Sequence, residues 1–215
     1  MQSVNELIDR LIDLSFAEDI GDGDHTTLCC IPEDAMGKSH LLIKEDGILA
    51  GVEIAKEVFA RFDPTMVVEV LINDGAKVHR GDIAMVVTGK VRSLLQTERL
   101  MLNIMQRMSG IATMTHRYVE RIEGTGAHVL DTRKTTPGMR MLEKMAVKIG
   151  GGVNHRIGLF DMILLKDNHI DFAGGISNAI NRCHAYLKER NLDLKIEIEV
   201  RNFDELNQVL ECGGV

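Results

Sequence analysis

Beyond Gly126 the chain changes period in a way that few folds accommodate. Apolar runs in AHVLDTR, DMILLK and LKIEIEV are separated by the helical patterns MRMLEKMAVKI and ISNAINRCHAYLKER, and FDELNQVLECG supplies a third helix. Short apolar runs that take turns with helices of roughly 10 to 15 residues predict βαβ units on a parallel sheet, each strand covered on both faces. Polar residues cluster at the ends of these runs. Asp131, Arg133 and Lys134 follow the first, Lys166, Asp167, Asn168 and His169 follow the second, and Glu197 and Glu199 sit on the third. Ligands bind at the carboxyl ends of parallel strands in barrels and open sheets alike, so these residues are the first candidates for a site. Only three such units precede Val215. A closed barrel needs more strands, and the expectation is an incomplete version of a longer protein.

The first part of the chain has a different texture. Ser3 and Glu6 make a capping box, and Val4, Leu7, Ile8, Leu11 and Ile12 share one face at helical spacing, which predicts an opening amphipathic helix. Strand-like runs at 40–44, 66–72 and 83–88 are punctuated by Asp46-Gly47, Asp74-Gly75 and Arg80-Gly81, and residues 53–62 read as a helix. This is an α+β layer. A long helical pattern from Ser93 to about Glu123, loosened at Ser109-Gly110, offers Leu94, Leu95, Met101, Leu102, Ile104, Met105 and Met108 for burial and reads as the connector between domains.

Charge points to the ligand class. Residues 131–170 hold seven Lys or Arg (Arg133, Lys134, Arg140, Lys144, Lys148, Arg156, Lys166) against four acids, a net +3 in a chain whose total is −7. Cations gathered against the global charge predict a pocket for a small polyanion carrying carboxylates or phosphates; a nucleic-acid surface would show a wider basic stripe. The first fifteen residues lack a basic leader and a continuous apolar stretch, and no run approaches the roughly 18 apolar residues of a membrane helix. A cytoplasmic location is the default expectation. Cys29, Cys30, Cys183 and Cys212 lack C-x-x-C spacing, so buried free thiols are expected rather than a zinc site or disulfides.

Several long strings in order resemble quinolinate phosphoribosyltransferase, also called nicotinate-nucleotide pyrophosphorylase (carboxylating). They are EDIGDGDHTT (18–27), KEDGILAG (44–51), ERLMLN (98–103), DTRKTTPGMR (131–140), GGGVNHRIGLFDMILLKDNHI (150–170) and IEIEV (196–200). The resemblance covers essentially the whole chain. It implies an α/β fold: an N-terminal α/β sandwich with its connecting helix over residues 1–110, then an α/β barrel over 111–215, cut off after about three βα units. It further implies a homodimer with shared active sites. The implied reaction joins quinolinate and phosphoribosyl pyrophosphate to give nicotinate mononucleotide, pyrophosphate and carbon dioxide in de novo NAD synthesis, with Mg²⁺ bound mainly through the pyrophosphate substrate and no partner among nucleic acids or membranes. By the same resemblance Thr132, Arg133, Lys134, His155, Arg156 and Lys166 bind the dicarboxylate, and Arg99 reaches in from the neighbouring subunit. Glu199 lies near the ribose, and Glu199, Lys134 and Lys166 carry catalytic roles.

The chemistry of these residues agrees with that implication. Two adjacent carboxylates need several fixed cations, with Arg favoured for its bidentate fork. A carboxylate stabilises oxocarbenium-like charge at the anomeric carbon; Glu199 is the candidate, with Glu197, two residues away on the same strand face, the competing choice. Other readings are carried alongside: a related phosphoribosyltransferase using another pyridine-like acid, a non-catalytic ligand-binding fragment, or a biotinyl or lipoyl carrier suggested by DGAKVHRGDIAMVVTGK (74–90). Asp22, Asp24 and Glu33 have EF-hand-like offsets, but Thr27 stands where that loop needs Gly. Gly150, Gly151 and Gly152 lack the Gly-Lys-Ser/Thr of a P-loop and read as a flexible turn.

Overall fold

The computed structural model describes residues 4–215, so Ser3 and the capping box proposed there lie outside the described residues. The chain divides into two compact units, Met1–His155 and Arg156–Val215.

The first unit opens with α1 (Val4–Ile20), which buries Ile8 and Ile12, and α2 (His25–Cys30). Asp24 caps α2, accepting from the Thr27 amide at 3.0 Å. The EF-hand-like acid is therefore a helix cap, and this hydrogen bonding holds its carboxyl below the usual range. Then follow β1 (Met36–Leu42), β2 (Gly47–Ile48), α3 (Val52–Phe62), β3 (Val67–Val70), β4 (Lys77–Val78) and β5 (Ile83–Lys90). Strands β1, β5 and β3 form an antiparallel sheet with β5 central, and β2 pairs with β4. Central position explains β5, in which Ala84, Met85, Val86 and Val87 are all buried instead of alternating. Residues 74–90 thus supply β4 and β5, and Lys90 stands at the entry to the next helix. That is no hairpin tip for a carrier lysine.

The next helix, α4 (Val91–Arg121), is the axis of the unit. Met101, Ile104, Met105 and Met108 are buried as their spacing predicts, whereas Leu95 is left exposed. The helix runs unbroken through Ser109-Gly110. Ser109 Oγ donates to the Ala50 carbonyl at 3.1 Å and accepts from the Ala50 amide at 3.0 Å. Thr113 Oγ1, one turn on, accepts from the Ile48 amide at 2.8 Å. Two hydroxyls at helical spacing therefore seat the 48–50 backbone on α4, and Gly47 is required there because a Cβ would come 2.5 Å from Thr113 Oγ1. α5 (Arg140–Ile149) packs on the same helix, burying Leu142 and Ala146.

The second unit holds β6 (Ile163–Leu165), α6 (Asp167–Ala173), α7 (Ile176–Arg190), β7 (Ile196–Ile198) and α8 (Phe203–Cys212). β6 and β7 are parallel, with Leu165 opposite Ile198. Their apolar face packs with Ile176, Ala179, Ile180 and Val209 of the helices. The expected cover on both faces is not found: Glu197 and Glu199 are exposed on the other face of β7, so this strand alternates as a one-sided strand does. Among the described residues the parallel strands do not close into a barrel.

The cysteines also depart from expectation. All four are free, but Cys29, Cys30 and Cys212 are exposed and Cys183 is half-buried. Burial raises the Cys183 thiol pKa.

Candidate active site

In the first unit the site residues hang on one short parallel pairing. Leu130 bridges Val153, with the Val153 amide donating to Val129 at 2.8 Å and the Asp131 amide to Val153 at 3.2 Å. Immediately beyond, Asp131 becomes an organising acid. Its carboxylate takes the Lys144 ammonium, the His155 amide at 2.9 Å and the Asn154 side-chain amide at 2.6 Å. Lys144 also donates to the His155 carbonyl at 3.1 Å. The Lys144 and Asp131 side chains are only 3% and 6% exposed, so this is a buried, hydrogen-bonded ion pair tying residues 154–155 to the start of the 131–136 loop. His155 is thereby fixed beside that loop.

Within the loop the Lys134 amide donates to Thr132 Oγ1 at 3.1 Å, a tight local turn. Arg133 is half-buried, and its Nε is enclosed without a hydrogen-bond partner. A cationic donor left this way suits a planar carboxylate, which accepts from a guanidinium through two parallel bonds. The far end of the loop is clamped by Glu143: it accepts from Arg107 Nε at 2.7 Å and from the Thr136 amide at 3.2 Å, while Arg107 also reaches Thr136 Oγ1 at 2.6 Å. Burial alone would raise the Glu143 pKa, but the hydrogen bonds from Arg107 and Thr136 outweigh it and hold the carboxyl below its ordinary value. Arg99 stands exposed on α4, with no hydrogen bond to the 132–134 turn.

Sequence reasoning placed Asp131 only as a polar residue after a strand and Lys144 only in the charge count, and missed Arg107, Glu143 and Asn154 as supports. A signal was present. Glu143 and Lys144 are charged residues directly following Leu142 in the middle of the α5 pattern, and all three are buried.

In the second unit register builds the site. Leu165 points into the apolar cluster and is 7% exposed, so Leu164 and Lys166 take the opposite face, the one shared by Glu197 and Glu199. The Glu199 amide donates to the Leu165 carbonyl at 2.9 Å, extending the pairing one residue past β7. Lys166 Nζ consequently donates to Glu199 Oε1 at 2.6 Å. Both side chains are about half exposed, so the pair is accessible from solvent and of modest worth to stability. Backbone geometry beyond β6 is set by His169, whose Nδ1 accepts from the Lys166 amide at 3.0 Å. Arg156 is 7% exposed and donates to the Met162 carbonyl at 3.4 Å. Asp161 caps the adjoining turn through the Ile157 and Gly158 amides at 2.7 and 2.8 Å.

Among the described residues no group of three or more His, Cys, Asp or Glu is arranged to hold a metal ion. Magnesium sites in general need only one or two carboxylates supplemented by substrate phosphates. Glu197 and Glu199 are oxygen donors of the right kind on one exposed face.

The chain is similar to known proteins over nearly its whole length. Residues 24–109 match the model of the quinolinate phosphoribosyl transferase N-terminal domain, and residues 111–215 that of its C-terminal domain. The chain is 48% identical over 205 residues to quinolinate phosphoribosyltransferase [decarboxylating] 1b of Nicotiana tabacum, covering 95% of this chain and 58% of that protein. It is 39% identical to a probable nicotinate-nucleotide pyrophosphorylase [carboxylating] of Synechocystis, covering 68% of it. The crystal structure of NadC from Streptococcus pyogenes superposes with a TM-score of 0.91 at 37% identity, covering 99% of this chain and 74% of that one. The nicotinate-nucleotide pyrophosphorylase from Francisella tularensis gives 0.88 at 39%. This chain spans somewhat more than half the length of the plant relatives it matches. With both domain models matched in order, the chain belongs to the quinolinate phosphoribosyltransferase family.

Proposed function

We propose that the protein transfers the phosphoribosyl group of phosphoribosyl pyrophosphate to quinolinate with loss of carbon dioxide, giving nicotinate mononucleotide and pyrophosphate for de novo NAD synthesis. The observation that carries this reading is Arg133, whose buried Nε lacks a partner within a cation-rich loop held at both ends by the Asp131 and Glu143 networks. A site of that kind is set for a carboxylate before it arrives, and costs little ordering when it binds.

Roles follow from chemistry. In the first unit Arg133, Lys134 and His155, with Thr132 beside them, offer donors to the two carboxylates of quinolinate. In the second unit Arg156 and Lys166 are the remaining cations of the expected set. Glu199 faces the positive charge that develops at the anomeric carbon, and its bond to Lys166 orients it. Glu197 on the same face is the alternative bearer of that role. Magnesium, carried in on the pyrophosphate, would neutralise the charge of the departing group. Ribosylation makes the ring nitrogen a pyridinium, whose positive charge stabilises the electron pair left on the adjacent carbon as its carboxylate departs as carbon dioxide, and a proton from solvent then takes up that pair. The protein needs only to orient and desolvate that carboxylate. No covalent nucleophile is invoked.

Two further features belong to the proposal. One is a homodimer in which Arg99, exposed on α4, serves the neighbouring subunit's site. The other is a reducing, cytoplasmic setting, supported by four free cysteines; among the plant relatives, some are named chloroplastic or mitochondrial. No described helix is long and apolar enough to cross a membrane.

The test is a calorimetric titration of this chain with quinolinate and, separately, nicotinate, followed by turnover with phosphoribosyl pyrophosphate and Mg²⁺ in protein of the relatives' full length. A clear preference for quinolinate is expected. Equal binding of the two acids overturns the choice of acceptor.

A further inference from the structure

Cys29 and Cys30 end α2 as adjacent residues, both exposed, with their sulfurs 3.4 Å apart. The pair is held rather than trailing. Cys29 Sγ lies 3.3 Å from the Thr26 carbonyl, and Arg92 at the start of α4 anchors the end of α2 through the Ile31 and Leu28 carbonyls at 2.9 and 3.4 Å. From this geometry we propose that Cys29 and Cys30 form a vicinal-dithiol site that chelates one thiophilic trivalent centre, arsenic(III) in an organoarsenical being the class it fits.

Two physical arguments select that ligand. Neighbouring Cα atoms across a trans peptide are about 3.8 Å apart, below the usual span of about 4.4–6.8 Å for a disulfide, so the two thiols resist closing on each other and stay available. Sulfurs 3.4 Å apart subtend about 95° at an atom held by bonds of about 2.3 Å, the length of a zinc–thiolate bond. A pyramidal trivalent centre with a lone pair accepts an angle near 90°, whereas a tetrahedral ion wants a wider one and two more ligands. Among the described residues no third His, Cys, Asp or Glu joins the pair to supply them.

The reaction balances without a redox partner. An arsenoxide R–As=O and two thiols give R–As(S)₂ and water; two As–S bonds form, the As=O bond breaks, and both thiol protons leave on the oxygen. Arsenic stays trivalent. Cys183, half-buried with its thiol pKa raised, and Cys212, 3.0 Å from Ser177 Oγ, provide internal controls.

The experiment treats the chain with one equivalent of phenylarsine oxide and reads intact mass and free-thiol titration. One adduct per chain and the loss of two titratable thiols are expected, reversed by 2,3-dimercaptopropanol and resistant to 2-mercaptoethanol. Cys29→Ser and Cys30→Ser should each weaken retention by roughly 10²-fold or more, the scale gained when a second bond becomes intramolecular. Cys183→Ser and Cys212→Ser should retain the adduct. An adduct that survives either serine variant at position 29 or 30, or that 2-mercaptoethanol strips from the unaltered chain, overturns the proposal.

Discussion

In the proposed site Arg133 and Glu143 divide the work of the 131–136 loop between binding and support. Arg133 has the orphaned donor, and its replacement removes a charged partner without disturbing the clamps at 131 and 143. Arg133→Ala is expected to abolish quinolinate binding in calorimetry while leaving the far-UV circular dichroism spectrum unchanged. Glu143 is a support, and its lowered pKa makes that support pH-dependent. Because its folded value lies below its unfolded one, its contribution is complete above the ordinary glutamate range near pH 4.5 and is lost as pH falls through the depressed value. Glu143→Gln should therefore reduce urea-unfolding stability by about 1.5–3 kcal/mol at pH 7, with the difference from the unaltered chain shrinking as pH drops below that range. The Asp131–Lys144 pair is more severe. Lys144→Met leaves Asp131 buried and uncompensated, and a loss of about 3–5 kcal/mol is expected in the same assay. Arg133, Lys134 and Arg156 were legible as part of a cation set in the sequence, and His155 only through the family resemblance. Asp131 was legible only as a polar residue after a strand, because its partners Lys144, Asn154 and the His155 amide lie 13 to 24 residues away along the chain and meet only after folding.

At the scale of elements, the helices were the most visible. Their 3.6-residue period is a local property, and α3, α4, α5, α7 and α8 all fall where the pattern puts them. The 127–133 run was read as a full strand, yet it makes a single parallel bridge to Val153. A strand exists only with a partner, and its partner follows a glycine triplet that the sequence presents as a flexible turn. Two glycines on this packing axis give opposite predictions. Gly110 lies mid-helix and exposed, with open space where a Cβ would project, so Gly110→Ala should stabilise the chain by about 0.5–1 kcal/mol. Gly150 sits at the end of α5, where a Cβ would come 2.4 Å from the Ala112 carbonyl oxygen of α4. Backbone cannot yield as a side chain can, and Gly150→Ala should cost about 1–3 kcal/mol. Both are read from urea midpoints at constant m-value.

For the molecule as a whole, the proposed homodimer gives a direct expectation. Light scattering on the eluting peak should return twice the 23.9 kDa chain mass, and a stable monomer would remove Arg99 from the proposed site. What the sequence determined by itself was whatever depends on neighbours along the chain: helical period, turn glycines, the concentration of cations in residues 131–170 within an acidic chain, and the ordered strings that place it in its family. The tertiary structure alone decided which charges are buried as scaffold and which stay open to solvent. Lys144 and Lys166 look alike in sequence. Lys144 is buried against Asp131, while Lys166 stands half exposed on Glu199. Strand register and helix packing make that difference, because the period-2 geometry of β6 and β7 turns Lys166 and Glu199 to one open face, whereas α5 turns Lys144 inward against α4 and the 131–136 loop.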